Sequence, residues 1–126
     1  MSQAHEAYAA AKRRASTSSD PRAFEAELLT KAAGRLQRAK ENWTEDNGPE
    51  FDALVYNRQI WTVFASSAAE AEHPLPREIK QNIANLAIFI FKRTAEIEAQ
   101  REPQPQMFDT LISINRDIAA GLSGRP

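Results

Sequence analysis

Prolines divide this chain into pieces that each begin as a helix begins. In "ASTSSDPRAF" (15–24) a serine-rich loop leads to Asp20 as N-cap and Pro21 at the first helical position. "EDNGPEFD" (45–52) repeats the device with Pro49, and Glu50 and Asp52 suit the positive end of the helix dipole. Pro76 in "HPLPREIK" (73–80) and Pro105 in "REPQPQMF" (101–108) do so again. Proline has no amide hydrogen and a fixed φ, so it is tolerated in a first turn and disruptive in a helix interior. The segments between these breaks have a helical period, and none shows sustained two-residue alternation with β-branched residues. The expected fold is all-α, with helices near 3–15, 21–43, 49–67, 76–100 and 106–120 and Gly121 as the closing C-cap.

Five such helices fill 126 residues, so residues 1–126 are read as one helical domain with one core. The segments differ in how they must be buried. In 21–43, Phe24, Leu28, Ala32 and Leu36 make one stripe while Arg22, Lys31, Arg35 and Arg38 stay off it, the pattern of an ordinary surface helix. In 49–67, Phe51, Leu54, Trp61 and Phe64 mark one face, and Tyr56, Ile60 and Val63 another. In 76–100, Ile79, Ile83, Leu86, Ile90 and Ile97 line a face that Ala84, Ile88 and Phe91 widen. The helices at 49–67 and 76–100 are therefore expected at the centre of the bundle.

Two stretches, "ALVYNRQIW" (53–61) and "LISINRDIA" (111–119), set an Asn-Arg pair inside an apolar run. At about 100° per residue, Asn57 falls between Leu54 and Phe64, and Asn115 between Leu111 and Leu122, so both amides point inward. A buried amide without partners costs on the order of 1–3 kcal/mol. Asn57 and Asn115 must then bond backbone, or one another, and fix register; the competing reading is contact with a bound peptide. Arg58 and Arg116 sit one step round, at the edge of their faces. They either extend outward along apolar surface or pair with carboxylates such as Asp52 or Asp109.

Catalytic chemistry finds little support. The chain has no cysteine, which removes disulfides, thiolate nucleophiles and Cys-based zinc sites together and fits a reducing cytoplasm. His5-Glu6 lacks the second histidine of a zinc-protease motif, since position 9 is Ala9. His73, in a proline-rich loop after two glutamates, reads as solvated loop rather than metal ligand. The serines at 16–19 read as capping residues, and the four glycines form no phosphate-cradling loop. No catalytic residue, cofactor or metal is expected.

Binding surfaces are equally constrained. Sixteen basic residues against seventeen acidic ones give a formal charge of −1, which speaks against direct nucleic-acid binding, and the basic stretch 12–14 reads as a solvated face. The amino terminus has no signal-peptide core. The longest apolar run, "IANLAIFIF" (83–91), is interrupted by Asn85 and far short of the roughly 20 residues that span a bilayer, so no membrane association is expected. Phe89 lies among Asn82, Asn85 and Glu96, off the main stripes of its helix. Either the first helix packs over it with Tyr8, or it is exposed for a partner.

"NRQIWTVF" (57–64), "LPREIKQNIANLAIFI" (75–90) and "LISINRDIAAGL" (111–122), in this order and spacing, resemble the FlaF flagellar regulators of alphaproteobacteria. The Asn57-Arg58-x-x-Trp61-x-x-Phe64 pattern, the Leu-Pro helix start and the closing Ile-Asn-Arg around Asn115 and Arg116 carry the likeness. "AYAAAKR" and "EAELLTKAAGRL" extend it over about residues 3–122. The resemblance implies a small cytoplasmic helical protein of flagellum assembly, without catalytic residues. It implies flagellin and the translational regulator FlbT as partners, with flagellin bound as by an export chaperone. Direct control of flagellin mRNA, or an adaptor role for FlbT, is the alternative.

Overall fold

The structure is a computed structural model that describes Gln3, Glu6, residues 21–46 and residues 48–124. Four α-helices follow one another: α1 (Arg22–Glu41), α2 (Gly48–Ala68), α3 (Arg77–Glu98) and α4 (Asp109–Leu122), the last preceded by a 3-10 turn, Pro105–Phe108. Among the described residues there is no strand. The fold is all-α, as the proline-delimited periods imply, with four helices described where five are expected. Of the first expected helix, near 3–15, Gln3 and Glu6 are helical and the rest lies outside the described residues. So do Tyr8, His5, the basic stretch 12–14, the serines at 16–19 and Asp20.

The prolines stand at the helix starts, each with its own geometry. The Pro21 carbonyl accepts from the Glu25 amide (3.2 Å), and the Pro76 carbonyl accepts from the Lys80 amide (3.0 Å). Pro76 has φ −59° and ψ 151°, so it caps α3 from outside rather than occupying its first turn. Pro49 is the second residue of α2, and Pro105 opens the 3-10 turn. Buried Glu50 reaches back from α2 to the preceding loop and accepts from the Thr44 amide (2.5 Å). In the same loop the Thr44 hydroxyl and then the Gly48 amide hold the Asp46 carboxyl below its ordinary pKa. Gly121 does not close the last helix. Helix α4 continues to Leu122, and Gly124 takes the left-handed conformation at φ 73°, its amide donating to the Gly121 carbonyl (3.1 Å).

The centre of the bundle is not where hydropathy places it. Helix α2 is central as expected, but its main neighbour is α1, against which α4 packs as well. Leu29, Ala32, Ala33 and Leu36 of α1 are sealed from water. Its alanines (Ala26, Ala32, Ala33, Ala39) supply a smooth surface against which two helices settle closely. Helix α3 packs mainly against α2 and flanks the core. Five of its 22 residues are buried, against eight of 20 in α1. The expectation that 76–100 is central and 21–43 peripheral is therefore reversed. Alanines score weakly on any apolar scale yet bury completely, whereas Ile88 scores strongly and stays outside.

Candidate functional site

The two Asn-Arg segments meet across the core. Trp61 and Asn57 sit one turn apart on α2, and the Trp61 indole N–H donates to Oδ1 of Asn115 on α4 (2.9 Å). An indole nitrogen is a donor only, so it fixes which end of the Asn115 amide faces it. Nδ2 of Asn115 then donates twice, to Oδ1 of Asn57 (2.7 Å) and to the Leu29 carbonyl in the middle of α1 (3.2 Å). All three bonds are buried, and both asparagines are 0% exposed. One amide thereby ties α1, α2 and α4 at a single height. A slip of one helix by a turn would strand several polar groups at once, so the cluster specifies register as well as stability. The bonding is internal, amide to amide, with no face open to a peptide. Phe64 packs edge-on to the Trp61 indole, with ring centres 5.4 Å apart, and closes the cluster from the next turn.

The arginines beside the amides have other surroundings. Arg58 donates to Glu98 near the end of α3 (3.0 Å) rather than to Asp52 or Asp109. Asp109 instead pairs with Lys40 (2.6 Å), joining the end of α1 to the start of α4. Arg116 is exposed and lines a shallow depression with Asp109 and Asp117. Arg35 of α1 lies over the Tyr56 ring of α2, 3.9 Å from its centre, and donates to Gln3 (2.7 Å). Burial pushes the Tyr56 phenol above its ordinary pKa, and the positive charge of Arg35 opposes this.

His73 is not a solvated loop residue. It is buried, and its Nε2 lies 2.7 Å from Oε1 of Glu25 on the first turn of α1, also buried. The pair clamps the α2–α3 connection onto α1. Sequence reading missed Glu25, although its place one turn before Leu29 on the apolar side of α1 marks it as inward-facing. Among the described residues no group of three or more His, Cys, Asp and Glu is gathered to hold a metal ion. No helix of the described residues is long and apolar enough to cross a membrane.

The surface feature with binding character is α3. Ile88 is 66% exposed, Ile79 42% and Phe89 37%. Phe89 stands outside the core with the Arg93 guanidinium 5.6 Å from its ring centre. Leu86, one turn-edge away, is half-buried. Ile88 points away from both Phe89 and the core, about 100° further round the helix. A single exposed apolar side chain is ordinary, but each of these continues into a half-buried neighbour, Phe89 into Leu86 and Ile88 into Phe91, and contiguous apolar surface marks contact sites. Tyr8, the other aromatic expected at a partner contact, lies outside the described residues. By its spacing Ile88 is expected to widen the core face. The signal that it does not is the unbroken apolar circumference of 88–91, which one neighbouring helix cannot cover.

The profile of the flagellar protein FlaF family matches residues 4–122, nearly the whole chain. No curated protein and no solved structure matches significantly.

Proposed function

The chain belongs to the flagellar protein FlaF family, and on that footing we propose that it binds flagellin in the cytoplasm as an export chaperone and regulates flagellin production together with FlbT. Membership itself gives the chain a role in flagellar biosynthesis. The observation that carries the finer reading is the Phe89 flank of α3, where an aromatic ring stands outside the core beside a guanidinium. Flagellin's terminal segments are amphipathic helices that pack in the filament and expose an apolar stripe before export. A helix laid along the Leu86–Phe89–Arg93 flank covers that stripe, with an aromatic anchor at its centre and a cation at its rim.

Titration calorimetry against full flagellin and its terminal peptides tests this. Wild type binds a terminal segment, and the peptide gains helix on binding. Phe89→Ala weakens binding by about tenfold or more, the scale of an aromatic hot spot, while the bundle stays folded. Absence of binding by wild type overturns the chaperone reading and leaves FlbT as the partner to assay. Binding indifferent to Phe89→Ala moves the contact away from this flank, with Tyr8 next to be substituted.

A further inference from the structure

The opposite flank of α3 has a pattern of its own. Ala84, Ile88, Phe91 and Ala95 follow at spacings of four, three and four residues, the rhythm of a coiled-coil seam. Ala84, Ile88 and Ala95 are exposed and Phe91 is half-buried. Ile88, at 66%, is the most exposed of the large hydrophobic residues described. The four read small, large, large, small, and so nearly the same in either direction. When a second α3 is laid antiparallel with Ile88 against the partner's Phe91, the same register sets Ala84 against the partner's Ala95. Bulky residues then interlock at the centre, and an alanine at each end lets the helices close. A seam complementary to its own reverse is what an isologous two-fold contact requires.

The charges of α3 agree. Arg77 is its first residue, and its last turn holds Glu96 and Glu98 with no basic residue. Glu78 in the first turn suits the helix dipole, whereas Arg77 beside it and the carboxylates at the carboxyl end run against it. An antiparallel neighbour brings its Arg77 toward this helix's carboxyl-end glutamates, which no basic residue of their own turn offsets. Glu98 already accepts from Arg58 through Oε1, and its carboxylate has capacity for a second donor. A parallel pair would instead put like ends together.

We propose that two copies of this chain associate through an antiparallel α3–α3 seam centred on Ile88 and Phe91. The seam is on a different flank from Phe89, so the proposal does not rest on flagellin binding. Four seam residues make a small interface, and the dimer is weak and concentration-dependent. In sedimentation equilibrium of the full chain, from low micromolar to near-millimolar concentration, wild type moves from monomer to dimer. Ile88→Glu weakens this at least about 30-fold, since it brings two carboxylates into the seam, and Phe89→Ala leaves it unchanged. Because the chain has no cysteine, register is read by crosslinking. The double variant Ala84→Cys with Ala95→Cys forms a covalent dimer on oxidation. It cannot close within one chain, because the two sites are about 16 Å apart along the helix. Ala84→Cys alone does not crosslink. A chain monomeric at every concentration, an Ile88→Glu variant that dimerises as wild type does, or a single Ala84→Cys that crosslinks as well as the double variant each overturns the proposal.

Discussion

The middle of the bundle and the outside of α3 hold each other's expected contents. In the middle, an asparagine pair is withdrawn from water, and Asn115 spends every hydrogen-bonding group it has on Trp61, Asn57 and Leu29. On α3, Ile88 is 66% and Phe89 37% exposed, and each forgoes part of the ~1.5–3 kcal/mol that full burial of such a side chain is worth. A buried amide costs energy unless its bonds form; those of Asn115 form in one arrangement of the helices, while Nδ2 of Asn57 stays buried without a partner, so the middle gains uniqueness chiefly from Asn115. An exposed isoleucine contributes little to that arrangement and retains its apolar surface for another molecule. Polarity inside serves the fold, and apolarity outside serves association.

The contrast makes the middle far more sensitive to substitution than the flanks of α3. Asn115→Ala is expected to cost at least about 3 kcal/mol in denaturant unfolding, because it leaves the Trp61 indole and the Asn57 carbonyl buried without their partner. Asn57→Ala removes one accepted bond and is expected to cost nearer 1 kcal/mol. Equal costs for the two would mean that Asn115 is not the centre of the cluster. His73→Ala is expected to cost about 2 kcal/mol, since it takes a bond from a buried carboxylate, Glu25. A cost near zero would show that the α2–α3 connection is not held in place by that pair.

Ile88→Glu and Phe89→Ala are expected to change monomer stability by less than about 1 kcal/mol, the loss at Phe89 including its contact with Arg93. Unfolding at dilution, where association is absent, checks this. A loss as large as that of Asn115→Ala would place these residues in the core and remove the contrast. The smallest effect concerns Tyr56. Its phenol is held above the ordinary pKa of 10.0, chiefly by burial. Below that pH the phenol is protonated in both folded and unfolded states. As pH rises past it the unfolded chain ionises first, so this contribution to stability declines toward the folded pKa. Tyr56→Phe should flatten the alkaline fall in stability, measured by denaturant midpoints across that range.

Much of this was legible in the sequence where the governing physics is local. Proline cannot sit in a helix interior, so the four breaks appear as residues and reappear as helix starts. The angular position of a residue on a helix follows from its number, so the inward turn of Asn57 and Asn115 needed no coordinates. The matches that tie the chain to its family are likewise local motifs in order. The tertiary structure alone decided which helices share the middle and which groups meet. Trp61 and Asn115 are 54 residues apart, Leu29 and Asn115 86, and Glu25 and His73 48. Hydrophobic periodicity tells a helix which side to bury but not which neighbour will cover it. The pattern of α1, with one narrow stripe, therefore implies a peripheral helix where the structure has a central one, while the richer face of α3 implies a central helix where the structure leaves it partly bare. Coverage depends on the closeness of approach that small side chains permit, a property of two surfaces in contact that no single helix carries.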